Sequence, residues 1–315
     1  MWHYILKRVL LLVPVLLGIS VIVFLIMELI PGDAAQAILG SFATPENLER
    51  VRSELGLDKP PVQRYFIWLG NILQGDFGRS YSLDRPVIDE VLERLGPTLL
   101  LAGSSLLIAA VLGMAAGIIA AVKQFGWQDM LFTVVVRVGI SVRSVGAGLL
   151  FVLLFAVQLG WFPVSGMMQV VGGGGALDVL HHLVLPAVTL GVVATGVIAR
   201  LTRSTMLEVL RKDFIRSARA KGLSERRVIL KHAFKNALVS IVPVLGIQAG
   251  FVIGGAVYIE TVFQWPGLGR MLVTAIQTRD ILLVQGGVVV IATLYVFINL
   301  IADVTQHALD PRIQT

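Results

Sequence analysis

Residues 98–122 read TLLLAGSSLLIAAVLGMAAGIIAAV, a run of 25 residues without a charged side chain. A hydrocarbon core of about 30 Å is crossed by roughly 20 apolar residues in a helix, since each helical residue advances about 1.5 Å. The segment must be helical, because backbone polar groups in lipid have to be paired within it. The stretch therefore predicts a transmembrane helix.

Five further stretches are similarly long and apolar, and their ends are defined to within a few residues. They are 9–29, 138–158, 183–202, 237–258 and 284–303. Such runs do not suit a membrane barrel, whose strands need only about ten residues. We therefore expect an all-α integral membrane protein with six transmembrane helices.

The composition supports a membrane protein. Charged residues make up 15% of the 315 residues and the mean hydropathy is +0.83, whereas soluble domains carry about 25% charged residues. The absence of cysteine excludes disulfides, thiolate catalysis and Cys-ligated metals. The first apolar run, after Lys7-Arg8, is longer than the roughly 7–15 residues of a signal-peptide core, which favours a membrane anchor.

The distribution of basic residues predicts the orientation. With six spans both termini lie on one side, and the segments on that side carry 14 Lys and Arg, ten of them in 203–236. The short opposite loops, 159–182 and 259–283, carry only Arg270 and Arg279. Because short cytoplasmic loops are enriched in Lys and Arg, we expect both termini in the cytoplasm.

This topology predicts three parts of the chain. A cytoplasmic tail and the first helix cover 1–29, an external helical segment covers 30–97, and a core of five helices covers 98–315. The formal net charge of +6 is concentrated between two spans, which indicates topology and lipid contact and not nucleic-acid binding.

The external segment contains two predicted helices. Thr44 before Pro45-Glu46 is typical of a helix start, so a helix is expected over 45–55. An amphipathic helix is expected over 61–73, with Tyr65, Trp68, Leu69 and Ile72 on one face. The segment could be a packed cap over the outer mouth, or a docking platform for an external partner.

The outer loop 259–283 contains a second candidate site. Pro266 followed by Gly267 indicates a turn, and Trp265 suits a membrane interface. A loop that dips into the mouth would use such glycines for tight backbone geometry. The candidate residues for an external gate or for docking of a binding protein are Trp265, Pro266, Gly267, Gly269 and Arg270.

The cytoplasmic segment 203–236 is the most informative. Its helical periodicity is interrupted once, at Gly222, and Ser224 can cap the helix that follows, which predicts helix, sharp turn, helix. A solvated basic loop is the simpler interpretation, but the small residues beside the turn favour close docking of another protein. The candidate coupling residues are Asp213, Phe214, Arg216, Ser217, Ala218, Ala220, Lys221, Gly222, Leu223 and Ser224.

Small residues recur every four positions within the predicted spans, which permits close approach of helices. They serve either static packing or a solute pathway. The candidates are Gly113, Gly117, Gly246, Gly250 and Gly254, together with the neutral Gln248. Acids are nearly missing from the spans, with only Glu28 and Asp303 near their ends, and this argues against proton-driven transport.

Motifs of energy conversion and catalysis are absent from the sequence. No G-x-x-x-x-G-K-[ST] stretch occurs, so this chain has no phosphate loop for ATP, and no H-E-x-x-H or G-x-S-x-G occurs either. The adjacent pair His181-His182 is a poor chelate and is expected to be plain surface. If transport consumes energy, another subunit supplies it.

Several motifs in order resemble those of the permease subunits of binding-protein-dependent ABC importers, in particular the first permease of the dipeptide/oligopeptide/nickel group. The resemblance spans nearly the whole chain. Its motifs are Ile30-Pro31-Gly32-Asp33, Leu55-Gly56-Leu57-Asp58-Lys59-Pro60, Gly75-Asp76-Phe77-Gly78-Arg79-Ser80, Leu185-Pro186-Ala187, Ala218-Arg219-Ala220-Lys221-Gly222-Leu223, Trp265-Pro266-Gly267-Leu268-Gly269-Arg270, Arg279-Asp280 and Leu309-Asp310-Pro311-Arg312.

Two positions depart from the pattern of that family. Arg216-Ser217-Ala218 stands where the general coupling motif has Glu-Ala-Ala, a replacement similar to the Arg-Thr-Ala often found in this group. The third span has Arg143 where the group normally has a proline, which changes the bend or the polarity of that helix.

The resemblance implies a type I ABC importer permease in the cell inner membrane, with no cofactor of its own. Its partners would be a second permease, two ATP-binding subunits that hold ATP and Mg²⁺, and an external solute-binding protein. The helix–turn–helix about Gly222 would sit in a groove of one ATPase. Peptides, glutathione-like compounds, opines, nickel chelates and sugars are all possible cargo. The alternatives are a self-sufficient secondary carrier or channel and an intramembrane enzyme.

Overall fold

A computed structural model describes residues 2–29, 36, 44–54, 58–127, 129–130, 144–169 and 174–309. Within them the regular secondary structure is helical apart from one short hairpin, and turns and loops connect these elements. The helices are α1 (Trp2–Leu29), α2 (Pro45–Glu54), α3 (Pro61–Leu73), α4 (Val87–Val122), α5 (Ser144–Phe151), α6 (Ala176–Leu210), α7 (Asp213–Ala220), α8 (Glu225–Arg227), α9 (Lys235–Val262), α10 (Leu268–Gln277) and α11 (Ile281–Leu309). The hairpin pairs β1 (Arg79–Ser80) with β2 (Arg85–Pro86), antiparallel.

Five helical runs among the described residues are long and apolar enough to cross a membrane. They are Arg8–Leu29, Val87–Val122, Ala176–Leu210, Glu225–Val262 and Ile281–Gln306. The fourth run is continuous because a π-helical stretch, Val228–Phe234, joins α8 to α9. These runs confirm five of the six predicted spans.

The third predicted span, 138–158, is described only from residue 144 onward. A shorter apolar helix covers Gly146–Gln158, formed by α5 and a π-helical stretch over Val152–Gln158. The prediction for Arg143 concerns a residue outside the described part of the chain.

The chain divides into two compact units. One unit comprises Thr98–Trp265 with the chain from Phe297 onward. One of its cores, which we call the elbow cluster, joins α7 to the C-terminal ends of α4 and α6 and to the start of α9. The fully or nearly fully buried members are Ala121, Met206, Val209, Ile215, Ala218, Val228, Ala233, Ala237 and Ile241.

The other unit comprises Trp2–Pro97 and Pro266–Val296. The predicted helix start at Thr44 is confirmed, since its Oγ1 accepts a hydrogen bond from the Asn47 amide at 3.3 Å. The predicted helix over 61–73 is confirmed as α3.

The hairpin was not predicted, and it joins two of the sequence motifs within this second unit. Asp280, between α10 and α11, is buried, and its Oδ2 accepts hydrogen bonds from the hydroxyls of Ser80 (2.6 Å) and Ser82 (2.8 Å). Its Oδ1 accepts a bond from the Leu283 amide at 3.1 Å and so caps α11. One carboxylate therefore fixes both the hairpin and the start of the last helix.

Candidate functional site

The predicted helix–turn–helix of the cytoplasmic segment is present. α7 is followed by a turn in which the Gly222 amide donates to the Arg219 carbonyl at 2.9 Å. The φ angle of Gly222 is +76°, a left-handed conformation that glycine adopts at least cost. We call residues 213–227, which comprise α7, this turn and α8, the elbow.

Ser224 occupies the predicted position but not the predicted role. It is the residue before α8, and its carbonyl accepts bonds from the amides of Arg227 (2.9 Å) and Val228 (3.0 Å), while its side chain makes no capping hydrogen bond. The two arms of the elbow are tied instead by Arg219, whose Nε donates to Glu225 Oε1 at 2.7 Å.

One side of α7 anchors the elbow to the elbow cluster. Ile215 is fully buried and Ala218 is 8% exposed, and both pack among residues of α6, α9 and the π-helical stretch between α8 and α9. The prediction that Ala218 belongs to an outward docking surface is therefore wrong. Its small side chain lets α7 approach the core, and Ile215, which the sequence analysis did not single out, holds α7 in place.

The other side of the elbow is open. Phe214 is 41% exposed, and Ser217 and Ala220 lie beside it as small exposed residues. Leu223 is half-buried. The remaining candidates are also exposed, namely Asp213, Arg216, Lys221, Gly222 and Ser224. A shallow surface with one aromatic ring and a surplus of cations can contact another protein closely.

An ion pair that the sequence did not reveal lies close to the elbow. Asp129, in the segment after α4, accepts hydrogen bonds from Arg203 of α6 through both oxygens, at 2.7 and 2.8 Å. The Arg203 hydrogen bond holds the pKa of the Asp129 carboxyl below its ordinary value of 3.8. This bidentate pair ties the chain after α4 to the C-terminal part of α6.

Replacing Asp129 with asparagine is expected to destabilise the chain by about 2 kcal/mol, because a charged hydrogen-bond partner is lost at a mostly buried guanidinium. A lowered pKa means that the pair stabilises the fold above the unfolded-state pKa. The difference between the wild type and Asp129→Asn should therefore shrink as pH falls through 3.8 and below. Thermal unfolding in detergent across pH measures it.

The matched control is Asp84→Asn, which removes an exposed Asp–Arg pair, with Arg79 Nε 2.9 Å from Asp84 Oδ1. That change should cost no more than about 0.5 kcal/mol, since exposed ion pairs contribute little. Equal losses for both variants would contradict the role assigned to the Asp129–Arg203 pair.

The outer loop is more buried than expected. Trp265 is fully buried and its amide donates to the Glu260 carbonyl at 2.8 Å, so the prediction of an interfacial tryptophan is wrong. Gly267 has an extended backbone (φ −101°) that any residue adopts, whereas the left-handed position is Gln264 (φ +51°). Burial of Trp265 favours the gate over docking, and that role stays a prediction.

Pro266, Gly269 and Arg270 belong to the other unit of the chain. Pro266 and Arg270 are half-buried, and Gly269 is buried in the first turn of α10. The sequence predicts 259–283 as one loop, but α9 continues to Val262, α10 occupies Leu268–Gln277 and α11 begins at Ile281.

Glu260 is a buried acid that the sequence analysis missed. Because the fifth span was expected to end at residue 258, Glu260 was assigned to the loop. It is fully buried near the end of α9, and its Oε1 accepts a hydrogen bond from Thr98 Oγ1 of α4 at 2.6 Å. α9 is longer than its apolar run, because the run ends near Glu260, a polar residue whose carboxylate is paired inside the protein.

The predicted glycine stripe on α4 is a packing seam against α6. A Cβ at Gly113 would lie 3.0 Å from Ile198 Cβ, and one at Gly117 would lie 2.6 Å from the Ala199 carbonyl oxygen and from Thr202 Cβ. Gly191 of α6 meets the Ser105 backbone in the same way. The helices run parallel here, and no space for solute remains at these positions.

The small residues at four-residue spacing on α9 have different environments. Gly246 and Gly250 are buried, and a Cβ at Gly246 would collide with the Cβ of Ala302 in α11. Gly254 is exposed, with nothing within 4 Å of an added Cβ. Gln248 is buried, with 7% of its surface exposed. Packing accounts for Gly246, while pathway roles for the others stay predictions.

The histidine pair differs from the prediction at one position. His181 is exposed, as expected for plain surface. His182 is buried, and its Nδ1 lies 2.9 Å from the Asp178 carbonyl oxygen and 3.2 Å from Asp178 Oδ1. His182 therefore packs against Asp178 in the first turns of α6, and the prediction that it is plain surface is wrong.

Comparison with known families agrees with this architecture. The model of the family "Binding-protein-dependent transport system inner membrane component" matches residues 113–315, and the model of its N-terminal region matches residues 1–102. The glutathione transport system permease protein GsiC of Escherichia coli K12 is 41% identical over 314 residues, covering 100% of this chain and 99% of GsiC. GsiC of Shigella dysenteriae serotype 1 is equally similar.

Solved structures share the fold at low sequence identity. An inward-facing structure of the MetNI methionine ABC transporter matches with a TM-score of 0.56 and 19% identity, over 70% of this chain and 95% of that chain. An amino acid ABC transporter crystallised with histidines matches with a TM-score of 0.51 and 14% identity, over 71% and 94%. With its membrane helices, its elbow and these matches, the chain belongs to the family of binding-protein-dependent transport system inner membrane components and is a permease subunit of an ABC importer.

Proposed function

We propose that this permease pairs with a second, similar permease and is driven by two ATP-binding subunits that dock on its cytoplasmic side. An external solute-binding protein would deliver short peptides to it. Both termini would then be cytoplasmic, as the distribution of basic residues predicts. ATP and Mg²⁺ would be held by the partner subunits, because this chain has no phosphate loop.

The elbow is the observation that carries the proposal. Ile215 and Ala218 bind α7 to the elbow cluster on one side, while Phe214, Ser217 and Ala220 form a shallow exposed surface on the other. Residues 213–227 carry five Arg and Lys against two acids, a surplus of three positive charges. We expect the docking groove of the ATPase to be acidic and to receive the Phe214 ring.

The packing of the elbow can transmit motion to the membrane helices. The elbow cluster contains Ala121 from α4, Met206 from α6 and Ile241 from α9, in one packed core with the residues that anchor α7. A displacement of α7 would therefore move the ends of three helices together, since close-packed interiors transmit strain. Closure of the ATPases on ATP would pull the elbow, and hydrolysis would release it.

Alternating access follows if each partner prefers one conformation. The ATP-bound ATPases and the loaded binding protein must both bind the outward-open state more tightly, because only differential affinity shifts a population. Specificity would then come largely from the binding protein. The glutathione permeases that are 41% identical to this chain suggest tripeptide-sized cargo.

Reconstitution tests this function. Vesicles that contain this chain with its second permease, both ATP-binding subunits and the binding protein should accumulate glutathione or another short peptide only when ATP is present. Vesicles with this chain alone should accumulate nothing under a proton or sodium gradient. Ion-driven accumulation by the lone chain would instead establish a self-sufficient carrier and overturn the proposal.

A further inference from the structure

One side of α3 lies against the membrane helix α1. The ring centroids of Tyr65 and Trp68 are 5.5 and 5.9 Å from that of Phe24, and the Tyr65 hydroxyl is 2.8 Å from Ser20 Oγ. Arg64 pairs with Glu28 one turn further along α1. Four contacts thus hold α3 along the last third of α1.

These contacts place α3 at membrane depth. The membrane-spanning part of α1 ends at Leu29, so Ser20 lies nine residues before its end. At about 1.5 Å per residue, Ser20 is about 13 Å inside that end and Phe24 about 7 Å inside it. Because Arg64 pairs with Glu28 at that end while Tyr65 reaches Phe24 and Ser20, α3 extends from the headgroup boundary into the acyl chains and does not lie above the membrane in water.

A second side of α3 is apolar and uncovered in this chain. Val62, Phe66 and Leu73 are 69%, 64% and 79% exposed, and Leu69 completes a stripe with the spacing of one helix face. The polar Gln63 and Asn71 are also exposed and lie on a different side of the helix. α3 therefore has one side against α1, one apolar side, and a third side on which Gln63 and Asn71 flank Ile67, which is 42% exposed.

We propose that α3 is an interfacial helix whose stripe of Val62, Phe66, Leu69 and Leu73 contacts lipid acyl chains. Lipid is the occupant because the stripe lies at the depth fixed by Ser20 and Phe24. α1 is itself apolar and uncovered at the same depth, where Ile22, Leu25 and Ile26, on the side of α1 away from α3, are 50–56% exposed. Thirteen residues are too few to span a bilayer, and a tyrosine and a tryptophan on such a helix are typical of the interface.

The test uses the absence of cysteine from this chain, which allows single spin labels. Phe66→Cys and Leu73→Cys are labelled with a nitroxide, and the assembled transporter, with cysteine-free partner subunits, is reconstituted into phosphatidylcholine vesicles. Gln63→Cys and Asn71→Cys on the third side are the matched controls. The ratio of collision with oxygen to collision with the water-soluble Ni-EDDA reports lipid contact.

We expect this ratio to be several-fold higher at positions 66 and 73 than at positions 63 and 71. Low collision with both reagents at 66 and 73 would mean that another protein covers the stripe, and frequent collision with Ni-EDDA would mean water. Either result overturns the proposal. If Phe66→Cys fails to assemble, Val62→Cys replaces it, and quenching of a bimane at position 73 by brominated lipid gives an independent readout.

Discussion

Replacing Gly222 with arginine is expected to abolish ATP-driven uptake while the chain still inserts into the membrane. Gly222 is exposed at the tip of the elbow, and an added Cβ meets nothing within 4 Å in this chain. The left-handed backbone costs a non-glycine residue only about 1–2 kcal/mol. The loss therefore arises in the contact with the ATPase, where the bulk of the arginine side chain holds two closely fitting surfaces apart. Such overpacking costs about 1–3 kcal/mol, roughly 5- to 150-fold in affinity.

Co-purification of the ATP-binding subunits and uptake into vesicles measure this effect. Gly75→Arg is the matched control, because Gly75 also has a positive φ (+85°) and open space around its Cβ. It carries the same backbone strain at a position remote in sequence from the elbow, so the ATPases should still co-purify. Gly222→Ala introduces the same backbone strain as Gly222→Arg but adds only a methyl group. This variant should therefore keep most of the uptake. Normal co-purification and uptake in Gly222→Arg would refute docking at the elbow.

Replacing Gly117 with leucine is expected to destabilise the folded permease by about 3 kcal/mol or more. A Cβ alone would lie 2.6 Å from a backbone oxygen of α6, and backbone cannot move aside as a flexible side chain can. Overpacking by a few methylenes already costs about 1–3 kcal/mol. Thermal unfolding in detergent measures the loss, and even Gly117→Ala should lower the midpoint.

Gly103→Leu on the same helix is the control for this change. Gly103 is exposed, with nothing within 4 Å of an added Cβ, so leucine there should leave the midpoint nearly unchanged. Transport per folded molecule separates the two interpretations of the stripe. If Gly117→Ala is less stable but transports normally, the seam serves static packing, whereas a loss of transport at unchanged stability would indicate helices that slide.

The membrane helices were predictable because the bilayer imposes a local requirement. A segment in lipid must be apolar over about 20 residues and must pair its own backbone, and both properties can be read from one stretch. The prediction failed at Glu260, where a buried carboxylate bonded to Thr98 lengthens α9 beyond its apolar run. Hydropathy treats such a residue as loop because its partner is 162 positions away.

The elbow was predictable in outline and not in orientation. Gly222 marks the turn because the left-handed backbone favours glycine, a local property. Which side of α7 faces the core was misassigned for Ala218, because a short helix with both apolar and small residues offers two plausible faces. Ile215 decides between them by packing against helices α6 and α9.

The sequence by itself determined the helical membrane fold, five of the six predicted spans, the turn at Gly222 and the amphipathic α3. Each follows from short-range requirements of solvent and backbone. Only the tertiary structure decided which side chains meet, as in Asp129 with Arg203, Ser80 with Asp280 and Tyr65 with Ser20. Those partners lie 74, 200 and 45 residues apart. A periodic pattern shows which face of a helix is apolar or polar, but the partner of that face depends on how the whole chain packs.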